Sequence, residues 1–208
     1  MHRGRSARHG ERTTFARCPV RAGVPYDRRV GDGRGEGAAT LLLLNGLPGA
    51  GKSAVARALA AGRPGTLVLD VDVVRTLISG DPAGTAEPAR RLALDMARSH
   101  LRAGADVVVP QLVARPDQGA RFARAATDGG ARFVHAILRV TAPTLARRVA
   151  ADAAAGRAAH RAGLDAAARD AYVTGLHEVA RAPGVIEVAA DAAGVPDLAA
   201  RLGRLLDG

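Results

Sequence analysis

The sequence predicts a three-layer α/β domain, a parallel five-stranded sheet with helices on both faces. Three observations carry that expectation. Short apolar runs alternate along the chain with longer stretches of helical period, the order that a parallel sheet with crossover helices requires. The runs are continuous, not alternating, as in strands buried on both faces. The interior must also be aliphatic. Hydrophobic types make up 48% of the 208 residues, yet aromatics are only 2% and Trp is absent, so Ala, Val and Leu have to fill the core.

The elements follow in order. Residues 1–37 show no apolar period and are rich in Arg and Gly. They hold nine Arg against four acids (Glu11, Asp27, Asp32 and Glu36), half of the chain's net charge of +10. Such a segment cannot build a core, so a disordered tail is expected over 1–37 and a single domain over 38–208. From Ala38 the pattern changes. Residues 41–44, all Leu, read as a buried strand, and 53–61 as a helix that Gly62 ends. Residues 66–70 form the second strand and 73–79 a short helix. Residues 87–103 form a long helix with apolar positions at Leu92, Met96 and Leu101, stopped by Gly104. The third strand is 106–109, followed by a helix over 117–127 and the fourth strand over 132–140. Two Ala-rich helices, 143–155 and 165–181, flank a Gly-bracketed stretch from Gly156 to Gly163. The fifth strand is 185–189 and the closing helix 196–206.

Composition removes several classes of function. One cysteine, Cys18, permits neither an internal disulfide nor a Cys-based zinc site. The six His residues lack ligand spacing, and no apolar run is long enough to span a bilayer. Basic residues at the N-terminus are not followed by the apolar stretch of a secretory leader, so a cytoplasmic protein is expected. Five aromatics cannot supply the stacking platforms of a single-strand-binding module. Of the 30 basic residues only one is Lys, a skew that fits drift in a GC-rich genome better than selection for nucleic acid.

That one lysine completes the strongest motif. Gly46-Leu47-Pro48-Gly49-Ala50-Gly51-Lys52-Ser53 fills every fixed position of G-x-x-x-x-G-K-[ST], after a strand and at the start of a helix. Its glycines let the backbone wrap phosphate, and the N–H groups from Gly49 to Ser53 point inwards at the helix N-terminus. Gly46, Pro48, Gly49, Ala50, Gly51, Lys52 and Ser53 are therefore the expected nucleotide-binding residues. Lys52 reaches the β- and γ-phosphates, and Ser53 is the expected metal ligand, holding Mg²⁺. Asn45, directly before the loop, is expected to tie strand ends together.

The second constellation is Asp70-Val71-Asp72-Val73-Val74-Arg75 at the end of the second strand. Functional crevices in open α/β sheets lie outside the carboxyl ends of the strands, so both carboxylates emerge beside the phosphate loop. Asp72 and Arg75, three apart at a helix start, share a face. Asp72 can accept a hydroxyl proton there, or simply cap the helix.

A Walker loop followed by Asp-x-Asp-x-x-Arg resembles the short kinase-like P-loop proteins among the AAA-type ATP-binding families. Polynucleotide 5′-kinase, the zeta toxins, chloramphenicol phosphotransferase and gluconate kinase belong to this group, which shares its architecture with nucleoside monophosphate kinases. The resemblance covers about residues 38–160 and implies a P-loop NTPase fold that uses ATP and Mg²⁺. Asp70, by its place at the strand end, and Gln111, which can orient a water or an acceptor, are expected on the acceptor side; by the resemblance, Asp72 is the base that activates the acceptor hydroxyl and Arg75 binds the acceptor. It also implies a lid near 147–163. There Arg148 matches the family's helix Arg and is catalytic, and Arg157 neutralises phosphate charge. The chain departs from the pattern at the third strand, where Val107-Val108-Val109 runs into Pro110-Gln111 in place of a carboxylate that helps hold magnesium.

The expected function is an ATP- and Mg²⁺-dependent phosphotransferase acting on a small hydroxylated acceptor or a nucleotide. Two other readings stay open: an ATP-binding regulatory protein with slow turnover, motivated by the third-strand departure, and a nucleic-acid end kinase, motivated by the charge. The expected partners are a nucleotide and a small-molecule acceptor, with nucleic acid not favoured and no membrane.

Overall fold

A computed structural model describes residues 38–155 and 166–207. The chain runs β1 (Thr40–Asn45), α1 (Lys52–Ala61), β2 (Leu67–Val68), α2 (Val71–Thr76), α3 (Pro82–Arg102) and β3 (Val107–Pro110). It continues through α4 (Pro116–Asp128), β4 (Arg132–Arg139), α5 (Ala142–Ala154), α6 (Ala166–Ala180), β5 (Val185–Ala189) and α7 (Val195–Leu206). The strands form one five-stranded sheet in the order β2-β3-β1-β4-β5, and every pairing is parallel. Every expected strand and helix is present; β5 keeps its expected ends, and the others shift at one end or both. The tail over 1–37 and the Gly-bracketed stretch over 156–163 lie outside the described residues.

The four leucines of β1 show how the sequence makes three layers. Side chains alternate along a strand. Leu41 and Leu43 therefore pack with α3 and α4 on one face, while Leu42 and Leu44 pack with α1 and α7 on the other. All four are fully buried, each worth about 1.5–3 kcal/mol in apolar transfer. At the start of β1 the Thr40 N–H donates to the buried Asp106 Oδ1 at 2.9 Å, which fixes β1 against β3.

Three expectations need correction. Helix α3 begins at Pro82, ahead of the expected residue 87, and it does not bury Leu92 and Met96, which are 48% and 43% exposed. Its inner face is Ala89, Ala93, Leu94, Ala97 and Leu101. A stripe of alanines lets the helix lie close to the sheet, and the larger apolar side chains are left on its flank. Strand β5 is not buried on both faces. It is a margin of the sheet, with Ile186 38% exposed and Glu187 paired to Arg139 at 2.9 Å. The other margin, β2, forms over two residues only, both half-buried.

Sheet order brings the C-terminal ends of β1 and β3 and the residues after β2 to one end of the domain. There the Gln111 N–H donates to Leu44 O at 3.1 Å, seating the residue after β3 against the end of β1.

Candidate active site

The phosphate-loop sequence adopts a phosphate-binding geometry. Between β1 and α1 the chain turns through Gly49 at φ 89° and Gly51 at φ 96°, conformations that side chains rarely adopt. Space is as restrictive as torsion. A Cβ on Gly46 would stand 2.9 Å from the Leu138 carbonyl oxygen, and one on Gly49 would stand 2.9 Å from Val149 Cγ2. The Ala50 N–H closes a turn onto Leu47 O at 3.0 Å.

Among the described residues no side chain caps α1, so its first-turn N–H groups, which have no intrahelical acceptor, are open to an anion at the helix N-terminus. Lys52 Nζ spans the loop and donates to Gly46 O at 2.9 Å and Leu47 O at 3.1 Å. Pro48 and Leu47 form the outer wall, facing an apolar groove of about 520 Å³ that Leu145, Val149 and Tyr172 also line.

The acidic segment meets the loop as expected, with one change of roles. Ser53 Oγ donates to Asp70 Oδ2 at 3.3 Å, and Asp70 Oδ1 accepts the Asp72 N–H at 3.1 Å. Helix α2 starts at Val71, and its N-cap is Asp70, not Asp72. The capping alternative for Asp72 is thereby overturned, because the helix begins two residues earlier than its apolar pattern suggested. Asp72 is an exposed carboxylate in the first turn. The Ser53 hydroxyl and the Asp70 carboxylate stand side by side as hard oxygen donors, a pair that suits a small divalent cation completing its shell with phosphate and water. Among the described residues no cluster of three His, Cys, Asp or Glu could hold a metal by itself.

The remaining expected residues fall on different sides. Arg75 Nε donates to Thr85 Oγ1 at 3.2 Å, which ties the guanidinium to the start of α3. Gln111 lies beside the end of β1, and its Oε1 is buried with no partner among the described residues, an enclosed acceptor in need of a donor. Arg148 lies against the loop's backbone. Its Nη1 donates to Ala50 O at 3.1 Å and its Nη2 to Ala190 O at 2.7 Å, bridging the loop to the end of β5. Arg157 lies outside the described residues.

Sequence reasoning missed two contributors. Asp191 Oδ1 accepts both the Thr141 hydroxyl at 2.7 Å and the Thr141 N–H at 2.9 Å. Those two hydrogen bonds, the hydroxyl's foremost, hold its carboxyl below the usual range. The second is the pair Leu145 and Val149, which back Gly49. Nothing in the local pattern marks either, because both depend on which loops the sheet order brings together.

The sequence model of the AAA domain family matches residues 41–174. No curated protein matches the chain in sequence. Solved structures resemble it in fold. The APS kinase of Mycobacterium tuberculosis, in complex with AMPPNP and APS, is 20% identical with a TM-score of 0.58, covering 83% of this chain and 99% of that one. A gluconokinase from Sinorhizobium meliloti 1021 is 18% identical with a TM-score of 0.51, over 82% and 95% of the two chains. The Deinococcus radiodurans tunicamycin resistance protein is 17% identical with a TM-score of 0.59, over 80% and 95%. The fold is thus the nucleoside-monophosphate-kinase-like one that the motifs implied. Since the matched stretch spans most of the described domain and contains the whole phosphate loop, the chain belongs to the AAA domain family.

Proposed function

We propose that the protein is an ATP- and Mg²⁺-dependent phosphotransferase acting on a small hydroxylated acceptor or a nucleotide. The observation that carries this reading is the 3.3 Å contact between Ser53 Oγ and Asp70 Oδ2, which joins the phosphate loop to the acidic segment, while Asp70 caps α2 through Oδ1 and leaves Asp72 outside the cap. Likeness in fold to an APS kinase and a gluconokinase supports the same class of chemistry.

In this mechanism the first-turn N–H groups of α1 and Lys52 Nζ bind the β- and γ-phosphates. Lys52 exchanges its two loop carbonyls for phosphate oxygens as nucleotide enters. Ser53 and Asp70 would hold Mg²⁺, which would supply neutralisation of the phosphate charge. The acceptor hydroxyl oxygen forms a bond to the γ-phosphorus as the bond to the β–γ bridging oxygen breaks. The hydroxyl proton passes to Asp72, and ADP leaves with the bridging oxygen. Arg75 and Gln111 orient the acceptor; the buried Gln111 Oε1 accepts from an N–H or O–H of that molecule. Arg148, already against Ala50 O, adds positive charge beside the loop.

One observation favours a second reading. With Gln111 after β3 in place of a carboxylate, metal holding rests on fewer charges, which suits an ATP-binding regulatory protein with slow turnover. A screen of hydroxylated metabolites and oligonucleotides for ADP formation separates the readings. Acceptor-dependent ADP release supports the phosphotransferase. Stable ATP binding without acceptor stimulation supports the regulator, and turnover with oligonucleotides that falls steeply with salt supports a nucleic-acid end kinase.

A further inference from the structure

The proposed reaction makes no use of a fully buried polar side chain at the end of β1. Asn45, the last residue of β1, has no exposed surface. Its Oδ1 accepts the Gly46 N–H at 2.7 Å and the Val113 N–H at 2.9 Å. Its Nδ2 donates to Val113 O at 2.7 Å and lies 3.1 Å from His135 Nε2. Two backbone donors fix which end of the amide is oxygen, so Nδ2 faces His135, and the buried ring accepts at Nε2. A primary amide has two donors and two main acceptor positions, and all four are engaged here.

The partners of this amide matter more than their number. Gly46 opens the phosphate loop, whereas Val113 belongs to the connection from β3 to α4, two residues after Gln111. Both polar groups of Val113's backbone are held by the one side chain. A purely local cap for the end of β1 would need only the Gly46 bond. Neither segment can shift relative to the other without leaving a buried polar group unpaired, which folded proteins rarely tolerate.

We propose that Asn45 is a positioning residue whose amide makes the start of the phosphate loop and the segment after β3 one mechanical unit, so that nucleotide held at the loop fixes the place of Gln111. The inference rests on the phosphate-loop reading above and adds to it a route by which the nucleotide side prepares the acceptor side.

Amide hydrogen exchange on the full chain tests it, with Mg²⁺ and AMPPNP as the probe. In the native protein AMPPNP slows exchange at residues 46–53 and, through Asn45, at residues 111–115, the latter by at least about fivefold. Asn45→Leu binds AMPPNP within about threefold of native and keeps the slowing at 46–53, but at 111–115 the effect falls to within about twofold of none. Asn45→Asp, nearly isosteric, keeps the Oδ1 bonds and loses donation to Val113 O; it serves if the Leu variant does not fold and is read the same way. An amide with a merely structural role would raise exchange in both segments alike, with and without AMPPNP. That result overturns the proposal, as does undiminished slowing at 111–115 in the variants. If AMPPNP slows nothing at 46–53 in the native protein, the phosphate-loop reading fails and this inference fails with it.

Discussion

Asp70 and Asp72 are separated by one residue, yet only Asp70 caps α2, and replacing each with Asn tells their proposed roles apart. Asp70 caps α2 through Oδ1 and accepts from Ser53 through Oδ2. Asn caps a helix about as well as Asp, so Asp70→Asn keeps the cap and shifts the melting temperature by no more than a few degrees. What it loses is the carboxylate charge beside the Ser53 hydroxyl, and the Mg²⁺ concentration for half-maximal turnover rises by about tenfold, or about 1.4 kcal/mol. Asp72 carries no cap, so Asp72→Asn leaves the melting temperature unchanged and the Mg²⁺ titration unmoved. Its cost is proton acceptance. General base catalysis is typically worth about 10²–10⁴-fold, so turnover at saturating Mg²⁺ falls by that factor, about 2.7–5.4 kcal/mol in the barrier. The assay is ADP release with an acceptor found by the screen, run across a Mg²⁺ series beside a melting curve. Native turnover in Asp72→Asn refutes the base assignment. A defect that added Mg²⁺ restores would move Asp72 to the metal side and leave the base to be sought at Asp70.

Other outcomes are open to direct measurement. Lys52→Ala removes the ammonium that spans the loop, and ATP affinity by calorimetry falls by at least about tenfold, or about 1.4 kcal/mol. Gly49→Ala meets both a φ of 89° and the Val149 side chain at 2.9 Å, so it lowers stability by about 1–3 kcal/mol and weakens ATP binding in the same protein. Burial pushes the His135 imidazole down to about 4. Because the unfolded chain binds that proton from about pH 6.5, stability falls as pH drops from about 6.5 to 4, by on the order of 3 kcal/mol. Urea titrations across that window should show the slope in native protein and lose it in His135→Gln, whose amide oxygen still faces Asn45. A chain beginning at Ala38 should melt within a few degrees of the full protein, the outcome expected if residues 1–37 do not pack on the domain.

Much of the fold was readable because its signals are local. Four consecutive leucines cut short by a Gly-Leu-Pro-Gly turn read as a strand buried on both faces, and a Gly-rich loop ending in Lys-Ser between strand and helix has few other structural meanings. The inner face of α3 was not readable from its large side chains. Close packing on the sheet favoured Ala89, Ala93 and Ala97 over Leu92 and Met96, and an alanine stripe carries little hydrophobic signal. The capping residue of α2 turned on where one helix begins, a matter of one or two peptide rotations that periodicity cannot resolve. The partners of Asn45 and Arg148 lie 68 and 98 residues away for Val113 and Ala50, so only the tertiary fold could reveal them.

The two margins of the sheet bear on how the domain behaves in a crowd. A parallel sheet that is not closed leaves unpaired backbone groups on its outermost strands, and these are templates for other chains. Here β2 offers only Leu67 and Val68, too short a stretch to seed a ladder. Strand β5 is longer, but Glu187 sits at its middle in a pair with Arg139. A neighbouring strand would have to strip water from that charge pair in order to dock. The domain therefore resists fibrillar growth by brevity on one side and by charge on the other, even though its central strands are among the most apolar segments of the chain.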